Sequence, residues 1–380
     1  MRISFLPVLF LSVVSVMGQG LIDKNATRET KALYRNLGKV AARGTMFGHQ
    51  DDDAYGVGWN AVDGRSDVKE VTGSYPAVHG WDIGRIEIGS GYNLDSVNFE
   101  DMLRWIQNTY QRGGVTTISW HINNPVTKGD SWDKTPAVAE ILPGGALHNY
   151  YVNQLDLVAD FLSRCRTGDT FIPLIFRPWH EHNGDWFWWG KGNTSEEDYI
   201  ALWRFTVTHL RDTRKLHHLI YAFSPDASRL DEADRSKSYL YGYPGDDYVD
   251  LLGIDDYRDV GIKWNTRPAD QQRSDLVNVL KVVCDHARAR RKVAALTETG
   301  LESVTNPNWF TDVILKPLKE TPALKLAYVL VWRNDNPNHH YAPYKGHSSV
   351  PGFIAFYEDA YTFFESDLQN LYRTNKPILK

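Results

Sequence analysis

The sequence predicts a (β/α)8 barrel built as a single domain, and two patterns carry that prediction. From Gly44 onward, eight short apolar segments alternate with amphipathic ones. Side chains able to do chemistry gather at the trailing end of each apolar segment, where a barrel of parallel strands collects its active-site residues on one face. In chain order the strand candidates are GTMFGHQ (44–50), PAVHGWDIG (76–84), GVTTISWHI (114–122), FIPLIFRPW (171–179), HLIYAFSP (218–225), VDLLGIDDY (249–257), KVAALTETG (292–300) and LAYVLVWRN (326–334). Each is a near-continuous apolar run, as strands covered on both faces of a parallel sheet are. At or just beyond their ends stand His49, Asp82, His121, Glu181, Asp226, Asp255, Tyr257, Glu298 and Trp332.

Helical periodicity falls between them, at 99–114, 148–165, 195–212 and 274–291. The segment from Ser195 opens on a serine followed by two glutamates, which suits a helix N-terminus. Residues 123–147 (NNPVTKGDSWDKTPAVAEILPGGAL) form a long loop on the face where the strands end, and loops of that length commonly serve as lids or binding walls. A doubly wound open sheet is the alternative, but no early G-x-G-x-x-G phosphate turn supports it.

Composition narrows the function. The chain has 380 residues, 42% of them hydrophobic, with no linker or low-complexity tract; one large core is expected. A net charge of −5 leaves no electrostatic footprint for nucleic acid, and no Lys/Arg cluster points to an anionic membrane. Residues 1–18, with Arg2 before an apolar run from Ile3 to Met17, have the pattern of an export leader. The run is short of the ~20 residues a membrane span needs. The expectation is a catalytic domain over 19–380, monomeric, working in a periplasm or outside the cell. Cys165 and Cys284 both fall in helical segments and are read as buried thiols rather than a disulfide framework.

The densest chemistry lies at 176–190, FRPWHEHNGDWFWWG, where four tryptophans surround Glu181. Far along the chain, Glu298 ends the seventh strand candidate, and barrel closure brings both carboxylates over one pocket. Two carboxylates facing one space can hydrolyse a glycosidic bond, one as acid and base and the other as nucleophile. An apolar wall of Trp179, Trp186 and Trp188 would keep Glu181 protonated. Arg177 or Arg333 would stabilise the Glu298 anion.

Thirteen tryptophans are more than core packing asks for, since each buried indole N–H needs an acceptor. Trp105 and Trp203 lie within helical segments and are assigned to the core. Trp120, Trp186, Trp188, Trp189, Trp264 and Trp332 lie at strand ends or in loops and are assigned to a sugar-binding cleft, where pyranose C–H faces stack on indoles. His121 and His180 are read as neutral hydrogen-bond partners, His79 and His218 as core histidines. His180 and His182 form an H-x-H, but the H-E-x-x-H of zinc hydrolases is absent, and no metal is expected.

FRPWHEHNGDWFWWG resembles the acid/base signature of glycoside hydrolase family 26, retaining (β/α)8 enzymes dominated by endo-β-1,4-mannanases. GHQDD (48–52), SWHINNP (119–125), GIDDY (253–257), TETG (297–300) and VWRND (331–335) follow in the family's order. The resemblance implies Glu181 as acid/base and Glu298 as nucleophile. His121 and His180 would line the cleavage subsite, Trp186 would stack in the cleft and Tyr257 would hydrogen-bond near the nucleophile. Trp332 would floor the subsite of the attacked sugar with Arg333 close by; Trp120 and Asp255 complete the expected substrate-binding set. His182 departs from the methionine that many members carry. The implied activity is retaining hydrolysis of β-1,4-mannosidic linkages in mannan or manno-oligosaccharides, without a cofactor. The alternatives are a β-1,3/1,4-glucanase or β-1,3-xylanase of the same fold, or a glycan-binding protein without catalysis. Endo and exo action are both open, because the 123–147 loop can wall off one end of a groove.

Overall fold

The computed structural model describes residues 20–380; the expected export leader falls outside that range. Eight parallel strands form the barrel: β1 (Thr45–Gln50), β2 (Val78–Asp82), β3 (Val115–Ser119), β4 (Leu174–Arg177), β5 (Leu219–Phe223), β6 (Leu251–Asp256), β7 (Val293–Thr299) and β8 (Leu326–Val331). Each lies within the segment expected for it. β8 pairs with β1 as well as with β7, and that pairing closes the sheet. A two-residue strand, Thr362–Phe363, adds to the foot of β1.

Among the helices, α1 (Arg28–Ala41) precedes the barrel, and α2 (Phe99–Arg112), α3 (His148–Arg164), α4 (Glu196–Thr208) and α5 (Ala269–Arg290) lie between strands. α2 begins where the Asn98 side chain accepts the backbone N–H groups of Glu100 and Asp101, and it ends at left-handed Gly113. The Ser195 side chain caps α4 by accepting the Asp198 N–H, and three acidic residues fill the first turn. α5 starts five residues before the expected position. Its first turns, Ala-Asp-Gln-Gln-Arg, offer no apolar period to detect.

α1 was not anticipated, and it seals the N-terminal mouth. Leu33, Leu37 and Val40 join Met46, Val78, Val115, Ile175, Ile220, Leu251, Ala295 and Leu330 in one buried cluster running up the barrel interior. Burying each such leucine contributes about 1.5–3 kcal/mol. With one mouth closed, ligand access is left to the other, where the strands end. Cys165 and Cys284 are buried free thiols. No helix among the described residues is long and apolar enough to cross a membrane.

The strand register carries one feature that periodicity does not reveal. Between β6 and β7, Ile254 pairs with Leu296 but Asp255 pairs with Glu298, so Thr297 is an extra residue on β7. Strict alternation would send Thr297 and Glu298 to opposite faces; the bulge lets both serve the barrel mouth.

Candidate active site

Glu181 and Glu298 open onto one cavity of about 700 Å3 at the C-terminal face. His121, Trp132, His180, Trp186, Tyr257 and Trp332 also line it. The carboxylates reach it by different routes. Glu181 lies beyond β4 in a turn where both it and Trp179 hold left-handed backbone, with φ of 51° and 55°. Such conformations are costly for non-glycine residues and cluster at functional sites. The Glu181 N–H donates to the Ser224 carbonyl at 2.8 Å, tying the turn to the end of β5. Asn183 and Asp226 reinforce the tie with a reciprocal pair of 2.8 Å hydrogen bonds.

The Trp186 indole N–H donates to Glu181 Oε2 at 2.7 Å. Its ring folds back over Gly184, where a Cβ would stand 2.3 Å from the indole, so glycine is required there. Arg229 covers the ring at 5.1 Å. Enclosure raises the Glu181 carboxyl well above the usual range. Nearby Asp226, Glu298 and Asp255 push the same way, and the Trp186 hydrogen bond opposes them.

Glu298 is gripped on both oxygens. Tyr257 donates its hydroxyl to Oε1 at 2.9 Å, and Arg177 reaches Oε2 at 2.5 Å while binding Asp255 at 2.6 Å. Burial disfavours the Arg177 charge, but Asp255 and Glu298 more than offset it and raise its pKa, so the guanidinium stays protonated. Gly300 closes the TETG motif at φ 145°. A Cβ there would meet the Tyr341 ring at 2.4 Å, and that ring lines the cavity.

His121 Nδ1 lies 2.7 Å from Asp82 Oδ2, and its Nε2 lies 3.2 Å from His180 Nε2. Burial lowers the His121 pKa, but Asp82 and then Glu298 outweigh it, so the net shift is upward. Burial, Arg177 and His121 all depress His180. The two facing Nε2 atoms are within hydrogen-bond reach, one ring donating and the other accepting.

Several expected residues lie elsewhere. Trp120 is fully buried behind the cleft, donating to Glu87. Trp188 and Trp189 are equally buried, their indoles donating to the carbonyls of Ile122 and His180. Trp179 packs edge-on against both. These rings shape the wall from behind, and of the expected three it is Trp186 whose indole N–H bonds Glu181. Asp255 is also buried: its oxygens take hydrogen bonds from Arg177, Ser224 and Thr297, so it anchors Arg177 and leaves no face for a sugar. Arg333 does not reach Glu298. It pairs with Asp95 at 3.2 Å in a neighbouring depression lined by Tyr55, Trp59 and Asn60. His182 points away from His180, stacks on Tyr199 and lies 2.7 Å from the Tyr241 carbonyl oxygen, so the two histidines form no chelating pair. His79 and His218 are buried core histidines, as Trp105 and Trp203 are core tryptophans.

The sequence reading missed Trp132, Phe187, Arg229, Arg258, Ile262 and Tyr341, all of which line the cavity. Trp132 had a signal. It sits in the 123–147 loop, is 48% exposed, and stacks on His121 with ring centroids 5.4 Å apart.

A barrel of this type, with two enclosed carboxylates in one aromatic cleft at the strand ends, defines a glycoside hydrolase. Residues 22–299 match the model of glycosyl hydrolase family 26, and the chain belongs to that family. It is similar to a mannan endo-1,4-beta-mannosidase of Bifidobacterium adolescentis, 36% identical over 88% of this chain but only 34% of that protein. The chain therefore spans about a third of that relative. A Bacillus subtilis mannan endo-1,4-beta-mannosidase is 26% identical over 96% of this chain and 95% of its own length. The solved structure of a GH26 beta-mannanase from Bacteroides ovatus superposes with a TM-score of 0.85 at 42% identity, covering 92% of this chain and 98% of that one.

Proposed function

We propose that the chain hydrolyses β-1,4-mannosidic linkages with retention, through a covalent glycosyl-enzyme. The observation that carries this reading is the unequal treatment of two carboxylates on one cavity. Glu298 has its anion held by a guanidinium and a phenol, whereas Glu181 has its proton favoured by enclosure and neighbouring acids. Likeness to β-mannanases along nearly the full chain supplies the substrate class.

In the first step Glu298 attacks the anomeric carbon while Glu181 passes its proton to the departing oxygen. The ester formed on Glu298 removes a negative charge that had been raising the Glu181 pKa. Glu181 then becomes a better carboxylate at the moment it must act as base toward water. Trp332, partly exposed in the cavity, would floor the site of the attacked sugar, with His121, His180 and Tyr257 meeting its hydroxyls.

The test combines products and stereochemistry. Mannohexaose should yield a spread of shorter oligosaccharides, with the β-anomer appearing first by proton NMR. First appearance of the α-anomer would reject the covalent route, and a single disaccharide from the outset would mean exo action. Turnover of lichenan or β-1,3-xylan in preference to mannan would reassign the substrate.

A further inference from the structure

We propose that Trp264 is the platform for the second sugar on the leaving side of the cleft, two units beyond the acid/base. This rests on the β-mannanase reading and specifies how the same site holds the part of the chain it releases.

The direction of the cleft follows from chemistry. A proton donor must stand beside the oxygen of the departing sugar, so the flank continuing outward from Glu181 is the leaving side. The loops after the neighbouring strands β4 and β5 bring Trp186 and the Arg229 guanidinium over its ring to the cavity, and the loop after the next strand, β6, adds Arg258, Ile262 and Trp264. The opposite flank leads past Trp332 toward the separate depression at Arg333 and Asp95.

Trp264 is 60% exposed, more than any other large apolar side chain among the described residues. Exposing an indole forgoes burial that the fold could have used. A slack loop would explain it, but this loop is braced at both ends. The Asn265 N–H closes a turn onto the Ile262 carbonyl at 3.0 Å, and its side-chain amide donates to the Arg258 carbonyl at 2.7 Å. Gln272 on α5 donates to the carbonyls of Asn265 and Arg267, and the Arg267 guanidinium binds Glu232 at 2.7 Å and Asp275 at 2.8 Å. The indole is therefore presented on a fixed mount, which spares a ligand the entropy of ordering it. A flat apolar ring at the rim of a sugar cleft suits the C–H face of a pyranose. Ile262 beside it extends that surface.

The experiment compares wild type, Trp264→Ala and Trp264→Phe on mannohexaose and on an aryl β-mannobioside, whose single-ring leaving group stops short of the second leaving-side position. Cut positions in the hexaose are read by mass spectrometry of products formed in 18O-labelled water. In Trp264→Ala, the ratio of kcat/KM on hexaose to kcat/KM on the aryl glycoside should fall about 5- to 30-fold. Cleavage should shift toward the reducing end, releasing shorter leaving pieces, and Trp264→Phe should recover part of both effects. An unchanged ratio with unchanged cut positions would overturn the assignment. Wild type inert on mannohexaose would instead remove the β-mannanase reading, and the subsite with it.

Discussion

Glu181 and Glu298 share a cleft but little else. Glu298 is part of the β7 ladder, set at the mouth by a bulge and held by Arg177 and Tyr257. Glu181 hangs in a strained turn beyond β4, with one indole for a partner and three acids in its field. One setting supplies a cation and a phenol to a carboxylate, while the other encloses its carboxylate among acids and raises its pKa. The largest expected effect comes from deleting the first carboxylate. Glu298→Ala should reduce mannan hydrolysis to background in a reducing-sugar assay, since it removes the carboxylate that Arg177 and Tyr257 hold toward the cavity. Ordinary mannan turnover by that variant would show that the two surroundings have no bearing on catalysis.

Glu181→Ala breaks the other half. Loss of a general acid typically costs about 10²–10⁴-fold, and a natural manno-oligosaccharide should feel all of it. A dinitrophenyl mannobioside, whose leaving group departs without a proton, should lose far less in the glycosylation step. Equal losses on both substrates, measured by pre-steady-state release, would mean that Glu181 is not the proton donor.

Arg177 tests whether the security of Glu298 is built into the fold. Its guanidinium bridges two carboxylates in a setting where all three groups are buried. Arg177→Met would leave two buried acids without their cation. Removing one partner of such a group costs about 3–5 kcal/mol, readable as a fall in the urea midpoint. Arg177→Lys should recover only part of this, because an ammonium cannot fork between Asp255 and Glu298.

Legibility in the sequence followed the same division. All eight strands were readable because parallel strands buried on both faces leave apolar runs whatever their neighbours are. The acidic pair was readable from strand ends and, for Glu181, from the aromatic signature. Which tryptophans face sugar was not. Trp186 and Trp188 are two residues apart in one loop, yet one donates to Glu181 and the other to the Ile122 carbonyl. Loop backbone has no period from which to read direction. Trp120 shows the same limit at a strand end: it adjoins His121, but faces Glu87 behind the sheet. Asp255 was assigned to substrate because nothing in one dimension shows that Arg177, Ser224 and Thr297 occupy its oxygens. The β7 bulge is likewise a pairing property of three strands.

The finest probe of the two surroundings is Trp186→Phe, which keeps an aromatic ring in the loop while removing the indole N–H and the part of the ring that lies over Gly184. That hydrogen bond draws the Glu181 pKa down. Without it the carboxylate form loses a charge-assisted partner while the protonated form loses less, so the pKa rises further. The basic limb of kcat/KM against pH follows ionisation of the acid in the free enzyme, and it should move to higher pH. Water in the cleft will replace part of the lost contact, so a displacement of about 0.5–1 pH unit is expected. A basic limb that stays in place or moves down would place control of this limb with another group, and Asp226 on the same cavity wall, itself raised to about 6 mainly by burial, is the residue to vary next.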